Sequence, residues 1–155
     1  MKIRDISVFA SLDDGELDTL EISGGIIERS YRRGERVFSA GDTPSSIGIV
    51  LSGGVRIEAN DIWGDRTVMG IIEPGQVFGE SYALCRETLA VDAVCAADSG
   101  ILLLRASALT HGETGIKLTR ALLTACANKN LRLSARIFCT SPKTIRARVL
   151  TYLSS

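Results

Sequence analysis

The sequence predicts an α+β chain: a double-stranded β-helix, or jelly roll, with a short N-terminal helix and a long C-terminal dimerisation helix. Three observations carry this. Between residues 24 and 105, short Ile- and Val-rich runs are cut by glycine, and Gly53, Gly64 and Gly75 fall 11 residues apart. Such spacing suits short antiparallel strands joined by turns, in a sandwich or barrel. Ahead of that stretch, Asp13 to Glu21 reads as a helix. Beyond Gly115 the apolar period changes from that of a strand to that of a heptad.

Each element has its own local signal. Ser11 or Asp13 is placed to cap the first helix, with Leu12, Leu17 and Leu20 turned to the core and Phe9 just ahead. The runs "YRRGERVF" and "NDIWGDRT" read as hairpins with glycine where the turn needs a positive φ. "IEPGQVFGE" reads as a Pro-Gly turn running into a second glycine. Thr119, Leu123, Cys126, Asn130, Leu133 and Ile137 form the heptad seam, beside a stripe of Leu118, Leu122 and Ala125. A helix of about 24 residues is ~36 Å long, longer than the body needs for cover, so the seam is expected to meet a partner helix. Asn130 is the polar residue that would fix its register. Pro142, capped by Thr140 or Ser141, opens a last amphipathic helix with Ile145, Val149, Leu150 and Leu153 on its apolar face. The expected boundaries are a β-roll with its N-terminal helix over 1–113, a dimerisation helix over 114–139, and the start of a further domain over 140–155.

Composition narrows the function. The 155 residues are 45% hydrophobic and 23% charged, enough to build a core. No apolar run approaches the ~20 residues of a membrane span, and an acidic break interrupts the N-terminus where a secretory signal would be apolar. A cytoplasmic protein without a membrane partner is expected. Residues 1–113 hold all 18 acidic side chains and 10 of the 18 basic ones, a net of −8, whereas the last 42 residues hold eight basic and no acidic ones. Such a basic end suits a nucleic-acid-facing region or a solvated helix that pairs with the acidic body. Metal-dependent enzymes on double-stranded β-folds need two or three histidines around the ion. His111, in "ALTHGET", is the one histidine, and it lies outside the strands, so no catalytic or metal site is expected. Cys85, Cys95, Cys126 and Cys139 form no C-x-x-C pair and read as reduced, mostly buried thiols.

Two segments are specific: "YRRGERVFSAGDTPSSIGIVLSGGVRI" over 31–57 and "GQVFGESYALCRETLAVDAVCAADSGILLLRASAL" over 75–109. In this order they resemble the cyclic-nucleotide-binding domain of the cyclic-AMP receptor protein/FNR family of bacterial transcription regulators. The resemblance extends over the lead-in helix, the roll, the long helix and "SPKTIRARVLTYL", which resembles the opening of that family's DNA-binding domain. It implies a cyclic-nucleotide-binding-like β-roll, a homodimer through Leu123, Cys126, Asn130, Leu133 and Ile137, and a small-molecule effector. DNA contact is then expected only through a C-terminal domain not present in this chain.

The resemblance also implies a pocket formed by Phe78, Gly79, Glu80, Ser81, Ala90, Val91, Leu133 and Ser134. In nucleotide-binding members an arginine stands ten residues after the glutamate, followed by Ser or Thr, and clamps the phosphate. Here that count from Glu80 reaches Ala90, then Val91 and Asp92, and Asp92 would repel a phosphate if its side chain turned inward. The family's Thr-Ser pair on the long helix aligns with Leu133-Ser134. The expectation is an effector other than a cyclic nucleotide, small and apolar or weakly acidic, with no resident cofactor. Arg86 is the alternative source of a phosphate clamp, and Cys85 or Cys126 the candidate axial ligands if the roll held haem. A nucleotide-binding regulatory domain and a stand-alone dimer without a small ligand are the competing readings.

Overall fold

The glycine-punctuated stretch forms eight strands in two four-stranded antiparallel sheets. The strands are β1 (Ile26–Tyr31), β2 (Arg36–Phe38), β3 (Ser46–Ser52), β4 (Val55–Asn60), β5 (Arg66–Ile72), β6 (Val77–Phe78), β7 (Asp92–Cys95) and β8 (Ser99–Arg105). One sheet has the order β1-β8-β3-β6 and the other β2-β7-β4-β5, so neighbours in sequence mostly sit in different sheets, as a jelly roll requires. The structure is a computed structural model describing residues 1–140; at residues 133 and 135–140 only the backbone is described. The chain divides into two units, Met1–Ala121 and Leu122–Ser155.

Between the sheets lies a cluster of Val50, Val55, Ile72, Phe78, Ala93, Cys95 and Ile101, with Phe38, Ile57 and Leu103 packed against it. Strand alternation puts Ile47, Ile49, Leu102 and Leu104 on the other face of the first sheet. They too are buried. The N-terminal turns and α1 (Asp14–Ser23) supply apolar cover in Ile6, Val8, Phe9, Leu17 and Leu20, and Leu118 on α3 (Gly112–Thr140) is fully buried. Asp13 caps α1: its carboxylate accepts from the Glu16 amide at 2.8 Å, and the Glu16 carboxylate in turn accepts from the Asp13 amide. Glu16 also ties α1 to α3, accepting from Lys117 Nζ at 2.7 Å and Thr114 Oγ1 at 2.8 Å. These bonds hold the Glu16 carboxyl below its ordinary pKa, and the bond to Glu16 holds the Lys117 ammonium above its own.

Two sequence expectations need correction. "NDIWGDRT" is a hairpin, β4 with β5, but "YRRGERVF" is not. Its strands β1 and β2 join different sheets, pairing with β8 and β7. The Gly34 turn is a corner between sheets, held by the Gly34 amide donating to the Cys95 carbonyl at 2.8 Å. Cys85 is exposed rather than buried, while Cys95 is buried and its thiol pKa is raised by that burial. The final helix expected over 140–155 lies outside the described residues beyond Thr140. Among the described residues, no helix is long and apolar enough to cross a membrane.

Candidate ligand-binding site

The sharp feature of the roll interior is the turn from β6 into α2 (Glu80–Cys85). Gly79 makes it at φ +73°, where a side chain is strained, and a Cβ there would stand 2.9 Å from the Phe38 ring. Phe38 and Phe78 rings meet with centroids 5.6 Å apart at a tilt of 55°, a favourable aromatic geometry. Phe78 is 1% exposed and lies directly over Gly48 of β3, where any side chain would overlap the ring. Phe78 is therefore a core residue that packs at the turn. Glu80, the first residue of α2, is buried and has an interaction partner, whereas Ser81 is exposed. The Ala83 amide donates to the Gly79 carbonyl at 3.0 Å and closes the turn.

The second half of the expected pocket comes from the loop before β7. Leu89 is buried and pins that loop to the β2–β3 connection: its amide donates to the Asp42 carbonyl, and its carbonyl accepts from the Gly41 amide, each at 2.8 Å. Ala90 is exposed and Val91 half-buried. Phe38 joins the two halves, since it pairs with Ala93 on β7 while its ring lies against Gly79. Sequence reasoning missed Phe38; nothing in its local pattern separates it from any other strand aromatic. Leu133 falls where side chains are not described, and Ser134 belongs to the second unit.

Asp92 does not turn toward this region. It pairs with Glu58, while its neighbour Ala93 pairs with Ile57 in the core cluster. Alternation therefore sends Asp92 and Glu58 to the outer face of the second sheet. There the Asp92 carboxylate accepts from the Ala40 amide at 2.7 Å and from Asn60 Nδ2 at 3.5 Å, with Arg36 at 3.8 Å. Glu58 pairs with Arg56 at 3.0 Å and Arg66 at 3.9 Å. Both carboxylates are buried under these partners. The repulsion of a phosphate by Asp92, one ground for expecting a different effector, thus falls away.

Arg86, the alternative source of a clamp, lines a concavity that neither Gly79 nor Ala90 lines. It closes α2 in the left-handed region, at φ 55°, and lines a groove with Arg29 and Arg105. His111 is exposed before α3, its Nδ1 2.8 Å from the Ser107 carbonyl. On the second unit, Leu123 is 65% and Leu131 68% exposed, Asn130 is exposed and Cys126 half-buried; the Ile137 side chain is not described. Among the described residues, no three His, Cys, Asp or Glu side chains gather as a metal site.

Comparison with known proteins agrees with the fold. None of the curated proteins matches. A cyclic nucleotide-binding domain from Methylobacillus flagellatus superposes with a TM-score of 0.76 at 15% identity, covering 90% of this chain and 83% of its own. The N-terminal domain of a transcriptional regulator from Streptomyces coelicolor A3(2) gives 0.63 at 20% identity, covering 83% and 94%. The Thermus thermophilus catabolite activator protein gives 0.59 at 25% identity, covering 96% of this chain and 63% of that one. The family model described as "Cyclic nucleotide-binding domain" matches residues 28–111, from β1 to the threshold of α3. That match spans more than half of the sequence and includes the Gly79 turn and every strand but the first two residues of β1, so the chain belongs to the cyclic nucleotide-binding domain family.

Proposed function

We propose that this chain is the effector-sensing and dimerising part of a cytoplasmic transcription regulator, and that its effector is a small molecule other than a cyclic nucleotide. The reading rests on Ala90. It stands where the family resemblance calls for the phosphate-clamping arginine, and Arg86 lines a different groove. A lost charge-assisted bond costs about 1.5–3 kcal/mol, roughly 10- to 150-fold in affinity. A singly charged cyclic phosphate entering the roll would give up water that the remaining donors replace only in part. Ile57, packed against the core between the sheets, and half-buried Val91 give this end of the roll an apolar character, which suits a less charged ligand.

The effector would act by population shift: it binds one arrangement of the roll and long helix better than another, and that differential affinity moves the dimer. The dimer itself is supported by the apolar exposure of Leu123 and Leu131 on α3. We assign DNA contact to a domain outside these 155 residues, because base readout needs a recognition helix or ribbon and the family resemblance sets that element beyond the long helix. Catalysis has no place in this reading.

Isothermal titration with cyclic AMP and cyclic GMP tests the effector class. No saturable heat is expected, and a dissociation constant in the low micromolar range would favour a nucleotide-binding domain instead. The variant Ala90→Arg with Val91→Ser should acquire measurable nucleotide affinity. Sedimentation should show a dimer that Leu123→Asp converts to monomer; a monomer without substitution would defeat that half of the proposal.

A further inference from the structure

The face of the first sheet that carries Val50 and Ile101 into the core does not end there. Register puts Arg29 opposite Ile101, Ile27 opposite Leu103, and Arg105 opposite Ser46, all on that same face. Where these residues run beyond the core, they line a groove of ≈ 940 Å³ closed by α2 and the loop ahead of β3. Its cations are Arg29, Arg86 and Arg105, and its hydroxyls include Thr43, Ser45 and Ser46. No residue lining it is acidic, although residues 1–113 carry a net charge of −8. Among the described residues, none of the three arginines has an ion-pair partner within 4 Å.

We propose that this groove is a second effector site, one that binds a small oxyanion carrying two or more negative charges. It lies apart from the turn at Gly79, and neither Ala90 nor Val91 lines it. Three unpaired guanidiniums around one concavity repel each other, and a polyvalent anion removes that repulsion while accepting several bidentate bonds. Arg29 faces Ile101, four residues before Arg105 on β8, so the two backbones stand roughly 13 Å apart along the strand direction. Long side chains from those points, with Arg86 from the end of α2, suit an elongated ligand better than a single charge. The backbone at Arg86 supports this. It is the one non-glycine at positive φ among the described residues, at a helix end where glycine or asparagine would be unstrained.

The test uses the whole 155-residue chain and thermal unfolding followed by circular dichroism. Sodium pyrophosphate and trisodium citrate are titrated at constant ionic strength set with sodium chloride. A saturable rise in Tm with either is expected, and the stronger of the two identifies phosphate or carboxylate as the preferred oxyanion. Arg29→Gln, at an exposed strand position, should weaken the response about 10-fold or more, and Arg86→Gln likewise. Arg33→Gln, outside the groove, should leave it unchanged. The proposal is overturned if neither anion gives a saturable shift up to about 10 mM, or if Arg29→Gln and Arg86→Gln respond like the parent. Saturable binding of a poly-glutamate peptide without any response to the small anions would also overturn it, by making the groove a protein contact.

Discussion

The two sheets of the roll are stabilised by different physics. The β1-β8-β3-β6 sheet is buried on both faces along β3 and β8, with Ile47, Ile49, Ile101, Leu102 and Leu104 all at 1% exposure or less. It holds by shape: Phe78 fits because Gly48 has no side chain. The β2-β7-β4-β5 sheet turns one face to the core cluster. Its outer face sets Asp92 against Glu58 across the β4–β7 pair, an unfavourable juxtaposition of like charges. Arg36, Arg56, Arg66 and the Ala40 amide offset it. A family fold can thus keep its shape with one rigid wall while the other wall balances charges of its own, and Asp92 and Glu58 say more about that second wall than about a ligand.

That contrast can be broken in order of expected effect. Gly48→Val should be the most damaging, because the new side chain and the Phe78 ring need the same space. A loss of about 3 kcal/mol or more in denaturant unfolding by circular dichroism is expected. A cost under about 1 kcal/mol would show that the first wall is less rigid than its packing implies. Asp92→Ala should cost about 1–3 kcal/mol, since it strips the partly buried Ala40 amide of its acceptor. Asp92→Asn keeps an acceptor and relieves the repulsion with Glu58, so it should cost clearly less than alanine. Equal costs would mean that charge, not the hydrogen bond, is what Asp92 supplies.

Smaller still is Glu16→Gln, which touches neither sheet's interior. The Glu16 carboxyl is lowered by its bonds to Lys117 and Thr114, so it stabilises the fold above its ordinary pKa of 4.5 and loses that contribution as pH falls through its lower folded value. The variant should therefore lose less stability than the parent between neutral pH and strong acid, while being slightly less stable at neutral pH. Parallel acid-unfolding curves would contradict this. Val68→Thr, on the exposed outer face of the second sheet, should change stability by no more than about 0.5 kcal/mol.

Much of this architecture was legible in the residues. Glycine spacing announced strands and turns, and Asp13 was one of the two caps expected for α1. What was not legible depended on which strands pair. "YRRGERVF" has the chemistry of a hairpin, but a turn does not reveal whether its flanking strands share a sheet. The side to which Asp92 points depends on the β4–β7 register, which no local pattern encodes. Phe78 was expected to line the pocket, yet its ring is packed over Gly48. The arginine groove was invisible for the same reason as Asp92: Arg29, Arg86 and Arg105 are far apart in sequence and meet only through the register of β1 with β8 and the placement of α2.

The β4–β5 hairpin tip has a practical consequence. Trp63, the sole tryptophan, stands 82% exposed beside Ile62 at 90%, on a turn in which Asp61 accepts from the Trp63 and Asp65 amides at 2.8 Å each. Its indole already sits in water in the native state. Intrinsic fluorescence will therefore change little when the core melts, and a flat emission trace on heating is no sign of a stable protein. The same indole is a built-in reporter for whatever comes to rest on that tip, read without any label and with no second tryptophan to mask it.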